Sequence, residues 1–179
     1  MGIICREVPG LALCARIRYA GLGGDPFHTT SSSQETMTMP AILRTATGTW
    51  HGDLKNGKGT IDATSGVLAS TPFTFATRFE NAKGTNPEEL IAAAHAACFS
   101  MAFSNYLSQQ GHVPDTITTR ATITLEDGRI HTMHLETRGK VEGLDDTAFK
   151  RLADEAEKKC PVSNLLRPGL KIELDAALM

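Results

Sequence analysis

The chain has 179 residues, of which 41% are hydrophobic and 21% are charged, a composition typical of a folded domain with a sizeable core. Its 18 basic and 20 acidic residues give a net charge of -2, which argues against a nucleic-acid-binding protein or a polybasic membrane protein. No apolar run approaches the roughly 20 residues needed to span a bilayer, so we expect no transmembrane segment.

The N-terminal part of the chain differs from the rest. Residues 1–38 lack a hydrophobic period and include a glycine-rich stretch at 21–26, which predicts a flexible leader. We therefore expect one folded domain at residues 39–179. Met37 and Met39 stand where the patterned sequence begins, and one hypothesis is that either is the natural start.

The leader also bears on location. Residues 9–15 are mildly apolar, but Arg16 and Arg18 follow at once, so we predict no signal peptide. A cytoplasmic location is then expected, where cysteines default to free thiols and a disulfide is more often catalytic or redox-sensing than structural. Cys5 and Cys14 lie in the leader and receive no predicted role.

The hydrophobic pattern beyond the leader predicts the element order βββ-α-ββ-α-β. In chain order these are strands at 42–51, 60–64 and 73–79, a helix at 86–110, strands at 116–125 and 129–141, a helix at 145–159, and a strand at 170–178. Asp127-Gly128 between the two long strands is a strong hairpin signal. The order indicates an α+β fold with antiparallel sheets packed on helices.

The first predicted helix carries the strongest local signals. Asn86 suits the N-cap and Pro87 the first helical position, while Glu88 and Glu89 in the first turn complement the helix dipole. The alanine-rich sequence that follows shows no polar face before about residue 104, which predicts a buried helix. A lone cysteine, Cys98, lies within it.

Two cysteines outside the leader are candidates for chemistry. Cys98 and Cys160 are each predicted to lie in a helix, and Pro161 must kink or interrupt the second one. His95 precedes Cys98 by three residues, but the chain has no C-x-x-C and no matching second pair, so we predict no metal site. We interpret His95 as a polar residue at a subunit contact. The two cysteines are either inert buried residues or a thiol nucleophile with a resolving partner.

A nucleophilic thiol requires a nearby cation that lowers its pKa. Arg78, placed between aromatic residues in the third predicted strand, is the best candidate, although a strand-edge charge is equally compatible with the pattern. Glu88 lies ten residues before Cys98, about 15 Å along one helix. It can belong to the Cys98 site only from a second subunit, and otherwise it is an ordinary first-turn glutamate.

Six blocks of sequence carry a family resemblance. They are Trp50-His51-Gly52-Asp53, Gly57-Lys58-Gly59-Thr60, Thr77-Arg78-Phe79-Glu80, Gly84-Thr85-Asn86-Pro87-Glu88-Glu89-Leu90-Ile91, His95-Ala96-Ala97-Cys98-Phe99-Ser100-Met101 and Cys160-Pro161-Val162-Ser163. In sequence and spacing, these blocks closely resemble the OsmC branch of the OsmC/Ohr thiol peroxidases. The resemblance covers about residues 41–179.

The resemblance implies roles for four residues. Cys98 resembles the peroxidatic cysteine and Cys160 the resolving cysteine, while Arg78 resembles the arginine that activates the thiolate and Glu88 the carboxylate that holds that arginine. It also implies an intertwined homodimer, with antiparallel sheets around two long central helices and active sites at the subunit boundary.

The implied activity is reduction of organic hydroperoxides, and of hydrogen peroxide, in oxidative or osmotic stress defence. It needs no metal or other cofactor, only an external thiol or dithiol reductant, for which a lipoyl-type dithiol is a candidate. Two alternatives stay open: a non-catalytic dimeric binding module with the same fold, and a redox sensor that uses the same cysteine pair.

Overall fold

The computed structural model of the protein describes residues 41–80 and 82–179, and Leu43–Met179 forms one compact unit. The predicted leader, its two cysteines and both candidate starts lie outside the described residues. In chain order the elements are β1 (Ala46–His51), β2 (Lys58–Ala63), β3 (Thr71–Thr74), α1 (Phe75–Phe79), α2 (Pro87–Gln109), β4 (Pro114–Glu126), β5 (Arg129–Val141), α3 (Asp146–Glu157), α4 (Pro161–Leu166) and β6 (Lys171–Leu178).

The strands form two separate three-stranded sheets. The first has the order β1-β2-β3 and is antiparallel throughout, and the second has the order β4-β5-β6. In the second sheet β4 and β5 are antiparallel, but β6 runs parallel to β5. The prediction of purely antiparallel sheets is therefore wrong for β6. The segment that contains α3 and α4 carries the chain back to the end of the sheet where β5 begins, so β6 runs in the same direction as β5.

The first sheet ends earlier than the sequence pattern predicts. The predicted strand at 73–79 stops at Thr74, and the next five residues form α1, which carries Arg78. The cause is a capping box: the Thr74 hydroxyl accepts from the backbone N–H of Thr77, and the Thr77 hydroxyl accepts from the N–H of Thr74. Arg78 therefore lies on a helical turn rather than on a strand.

The long helix α2 has the predicted ends. The Asn86 side chain accepts from the backbone N–H of Glu89, and Gly111 has a φ of 88° just beyond the last turn. One face of α2 is buried, at Glu88, Ala92, His95, Phe99, Phe103, Tyr106 and Leu107. The opposite face is exposed although it is apolar, with Ala93, Ala94, Ala97 and Met101. The prediction of a helix buried all round is wrong within a single chain.

Among the described residues, α2 is the one helix long and apolar enough in composition to cross a membrane. The expectation that no apolar segment is long enough to span a bilayer is therefore wrong when helix length and composition are the criteria. A single helix of this kind is weak support for a membrane span, because the core helix of a folded domain has the same composition. Here α2 packs against β4, α3 and α4.

The second sheet and its hairpin position the helices. Asp127 and Gly128 both have positive φ, which is the conformation of the predicted Asp-Gly hairpin turn. The central strand β5 buries alternate residues, including Met133, Leu135 and Thr137, on its helix-covered face. At Gly139 the ring of Phe149 occupies the space that a Cβ would need, so this glycine lets α3 pack closely on the sheet.

The predicted second helix is divided into two. It ends at Glu157, and α4 begins at Pro161 with Cys160 as its N-cap residue. A residue before proline is disfavoured in the helical region, and Cys160 accordingly has φ -67° and ψ 123°. The prediction that Cys160 lies within a helix is wrong, since the interruption by Pro161 occurs at Cys160 itself.

Candidate active site

The two cysteines of the folded domain lie together. Cys160 Sγ–H donates to Cys98 Sγ at 3.6 Å, and both are free thiols. Cys98 is supplied by the middle of α2 and is partly exposed, whereas Cys160 is fully buried at the start of α4. The pair therefore joins a partly exposed cysteine to a fully buried one.

The thiol of Cys98 is held mainly in its protonated form within one chain. Partial burial raises the pKa of Cys98 above its ordinary value of 9.0, and the neighbouring Cys160 raises it further. The backbone N–H of Val162, at the start of α4, donates to Cys98 and acts in the opposite direction. A thiolate at neutral pH consequently needs a cation from elsewhere.

An ion pair joins the end of α3 to the end of α4, with Cys160 between its two residues in the chain. Arg167 Nη2 donates to both oxygens of Glu157, at 2.8 and 2.9 Å, and the Glu157 side chain is only 10% exposed. Glu157 precedes Cys160 and Arg167 follows it, so the ion pair connects the two sides of the segment that contains Cys160. It fixes the geometry of the segment that carries the buried sulfur.

Arg78 and Glu88 form a second pair. Arg78 donates to the Glu88 carboxylate through Nε at 3.1 and 3.2 Å and through Nη2 at 2.6 Å, so two nitrogens of the guanidinium hold the carboxylate. Asn86 Nδ2 also donates to the carbonyl of Thr77, at 3.0 Å, and so attaches α1 to the start of α2. The side chain of Arg78 is 38% exposed and can therefore contact something beyond its own chain.

The structure thus brings the predicted site residues together in two pairs but not as one group. Glu88 is in the first turn of α2 and Cys98 is ten residues further along the same continuous helix, a distance of about 15 Å. Arg78 is paired at the Glu88 end, so it cannot contact the Cys98 of its own chain. This separation is what the predicted subunit-boundary site requires.

His95 is not at a subunit contact. Its side chain is fully buried in its own chain, and its Nε2 lies 2.8 Å from the hydroxyl of Ser163 on α4. The earlier interpretation is wrong because His95 shares the buried face of α2 with Phe99 rather than the exposed face. Sequence reasoning also missed α4 and Ser163. The only available signal was the i, i+3 spacing of Cys160 and Ser163, which repeats that of His95 and Cys98.

Comparison with known proteins decides the family. A family model described as OsmC-like protein matches residues 80–175. The chain belongs to the OsmC family. Peroxiredoxin OsmC of Escherichia coli (strain K12) is 44% identical over 128 residues, which cover 69% of this chain and 90% of that protein.

More distant members of the OsmC family agree with this assignment. The organic hydroperoxide resistance protein of Xanthomonas axonopodis pv. citri is 33% identical over 98 residues, covering 52% of this chain and 68% of that protein. The crystal structure of an organic hydroperoxide resistance protein from Legionella pneumophila superposes with a TM-score of 0.59 at 23% identity, covering 76% of this chain and 99% of that chain. The latter likeness supports the OsmC fold, with its two sheets and long helix.

Proposed function

We propose that this OsmC-family protein is a cysteine peroxidase that reduces organic hydroperoxides, and hydrogen peroxide, in stress defence. The observation that carries the proposal is the 3.6 Å contact between a partly exposed and a fully buried cysteine. The names of its relatives, peroxiredoxin and organic hydroperoxide resistance protein, support the same activity.

The chemistry uses the two sulfurs in turn. The Cys98 thiolate attacks the distal oxygen of the hydroperoxide, the O–O bond breaks, and an alcohol or water leaves while Cys98 becomes a sulfenic acid. The Cys160 sulfur then bonds to the Cys98 sulfur, the S–O bond breaks, and water leaves. Two electrons from an external dithiol, a lipoyl-type compound being one candidate, restore both thiols by exchange.

The active form in this proposal is an intertwined homodimer. The exposed apolar face of α2, which includes Ala97 and Met101, is left without a partner in one chain. Among the described residues, none from β1–β3 or α1 belongs to the buried hydrophobic core, and a three-stranded sheet without a packed face is only marginally stable. A second copy of the chain that packs on both surfaces would bury the apolar face of α2 and give the first sheet a packed face.

The dimer also completes the site. The partner subunit's Arg78, held by Glu88 and partly exposed, would approach Cys98 across the interface and stabilise both the thiolate and the charge that develops as the O–O bond breaks. The partner's Arg78 would counteract the raised pKa of Cys98, since no cation among the described residues of the same chain lowers it.

The mechanism requires no prosthetic group. In the described ranges 41–80 and 82–179, no cluster of three His, Cys, Asp or Glu side chains could hold a metal ion. We propose a cytoplasmic location, where thiol systems keep both cysteines reduced between turnovers.

The test is sustained turnover with cumene hydroperoxide and an excess of a dithiol reductant, using the full chain. Many turnovers per Cys98, with loss of activity in Cys98→Ser, are the expected result. A single oxidation that dithiol reverses without turnover would favour the redox sensor. Thiols of Cys98 and Cys160 that both stay unreactive would favour the non-catalytic binding module.

A further inference from the structure

Helix α2, which carries Cys98, and helix α4, which Cys160 caps, are joined at a second point. His95 and Cys98 are three residues apart on α2, and Cys160 and Ser163 are three residues apart at the start of α4, so each pair lies on one helix face. The two contacts between them run side by side: the 3.6 Å contact of the sulfurs and the 2.8 Å contact between His95 Nε2 and Ser163 Oγ.

The second contact is well placed to control the first. With six residues, α4 is too short to be stable by itself and depends on the contacts that hold it. The Glu157–Arg167 ion pair holds the end of α4 to α3, and the backbone N–H of Val162 donates to Cys98 at the start of α4. The His95–Ser163 contact adds a side-chain hydrogen bond between α4 and α2 one helical turn beyond Cys160, which restrains the rotation of α4 against α2.

Burial shields the hydrogen bond between His95 and Ser163 from competition by water. The side chains of His95 and Ser163 are both fully buried, so neither can exchange its partner for water. Nδ1 of His95 has no hydrogen-bond partner, which leaves the Ser163 hydroxyl as the one polar contact of this imidazole among the described residues. Losing it would leave a buried polar group unsatisfied.

We propose that the His95–Ser163 hydrogen bond is a positioning link that keeps the Cys160 sulfur within reach of Cys98 and so sets the rate of disulfide formation. This inference rests on the proposed peroxidase function. His95 and Ser163 act through the cysteines and touch no substrate, so the first step, attack of Cys98 on the peroxide, should not depend on them.

The test follows the two steps separately in the full chain with Cys5→Ser and Cys14→Ser, which leaves two cysteines. After rapid mixing with one equivalent of cumene hydroperoxide, trapping of the sulfenic acid reports the first step, and intact mass reports the disulfide. The variants are Ser163→Ala and His95→Leu, with His95→Gln as the conservative variant whose amide can still reach the Ser163 hydroxyl.

A matched control is Ser100→Ala. Ser100 is also on α2, and its hydroxyl donates to Thr119 on β4 at 2.9 Å, so the substitution removes the same kind of contact without involving α4.

Ser163→Ala should slow disulfide formation about 10- to 100-fold, because a displacement of about 1 Å can cost about 100-fold. The first step should change less than about twofold on the same reasoning. His95→Gln should keep most of the wild-type rate, and Ser100→Ala all of it. The proposal is overturned if Ser163→Ala forms the disulfide at the wild-type rate, if both steps slow equally, or if Ser100→Ala slows the disulfide as much.

A second arm needs no peroxide. Equilibration of the cysteine pair with glutathione buffers measures its tendency to form the disulfide, which Ser163→Ala should lower about tenfold, a shift of about 30 mV. If the wild-type protein proves unreactive to peroxide, the glutathione equilibrium alone tests the proposal. A shift in the reduction potential of the cysteine pair would then support the His95–Ser163 link without a peroxidase activity, and no shift would overturn the link. If peroxide reacts but Ser163→Ala behaves as wild type in both arms, the link fails and the peroxidase stands.

Discussion

The sulfur atoms of Cys98 and Cys160 lie 3.6 Å apart although 62 residues separate them in the chain. The partly exposed member is on a continuous helix and the buried member is at a proline-induced break between two helices. The proposed mechanism uses this asymmetry, with the partly exposed thiol attacking the peroxide and the buried thiol forming the disulfide.

In the full chain with Cys5→Ser and Cys14→Ser, Cys160→Ser should permit one peroxide reduction per Cys98 and then stall. Without a resolving thiol, the sulfenic acid persists and excess peroxide converts it to the sulfinic acid, a gain of about 32 Da over the thiol. Intact mass during a peroxide titration measures this. Cys98→Ser is the matched control and should consume no peroxide, and turnover by Cys98→Ser would show that the nucleophile is misassigned.

Arg78→Ala should slow attack on peroxide by about 100-fold or more, because one preorganised charge donor is typically worth that much. The fold should be retained, since the Arg78 side chain is partly exposed. The measurements are the rate of Cys98 alkylation against pH, which should shift to higher pH, and kcat/KM.

The same variant tests whether the site crosses the subunit boundary. A purified heterodimer of one Arg78→Ala chain and one Cys98→Ser chain contains one site with both native residues if Arg78 acts on the partner's cysteine. Such a heterodimer should have about half the activity of wild type, as expected for one intact site of two in a symmetric dimer. Absence of activity would mean that each site is built from one chain.

Arg167→Ala should lower the free energy of unfolding by about 1–2 kcal/mol, less than for a fully buried pair because Arg167 is 45% exposed. The loss arises because the buried carboxylate of Glu157 is left without its partner. Urea denaturation measures it. Lys150→Ala, which removes an exposed pair with Asp146, is the control and should leave the free energy of unfolding nearly unchanged.

His95 should make stability depend on pH. Burial lowers the pKa of His95 below its ordinary value of 6.5, so below that pH the unfolded chain binds a proton that the folded chain does not. Stability is therefore fully present above about pH 6.5 and falls as the pH drops toward the lowered pKa. Melting temperatures between pH 5 and 7.5 should show this decline in wild type and a shallower one in His95→Gln, and equal slopes would contradict the assignment.

An organic hydroperoxide should be the better substrate. Phe99, which follows Cys98 in the chain, is buried in the core of its own chain and stacks on Phe103. Met101 remains exposed on α2, at the face proposed to meet the partner. Comparison of kcat/KM for cumene hydroperoxide and hydrogen peroxide is the measurement, and a clear preference for hydrogen peroxide would count against an apolar pocket.

Local signals in the sequence determined most of the elements. The cap at Asn86, the glycine after α2 and the Asp-Gly turn act over a few residues, so their conformations could be predicted without knowledge of the fold. The motif blocks likewise pointed to the OsmC family, which the family model confirms. The capping box at Thr74 was equally local but was obscured by the strand-like aromatic residues around it.

Contacts between distant segments were decided only by the tertiary structure. The parallel pairing of β6, the approach of Cys160 to Cys98 and the hydrogen bond from His95 to Ser163 each join residues that are far apart in the chain. Such contacts depend on how α3 and α4 pack against α2 and the second sheet, and no short-range preference specifies that packing. The sequence by itself therefore determined which residues were available for chemistry, whereas the packing of the buried faces decided which of them meet.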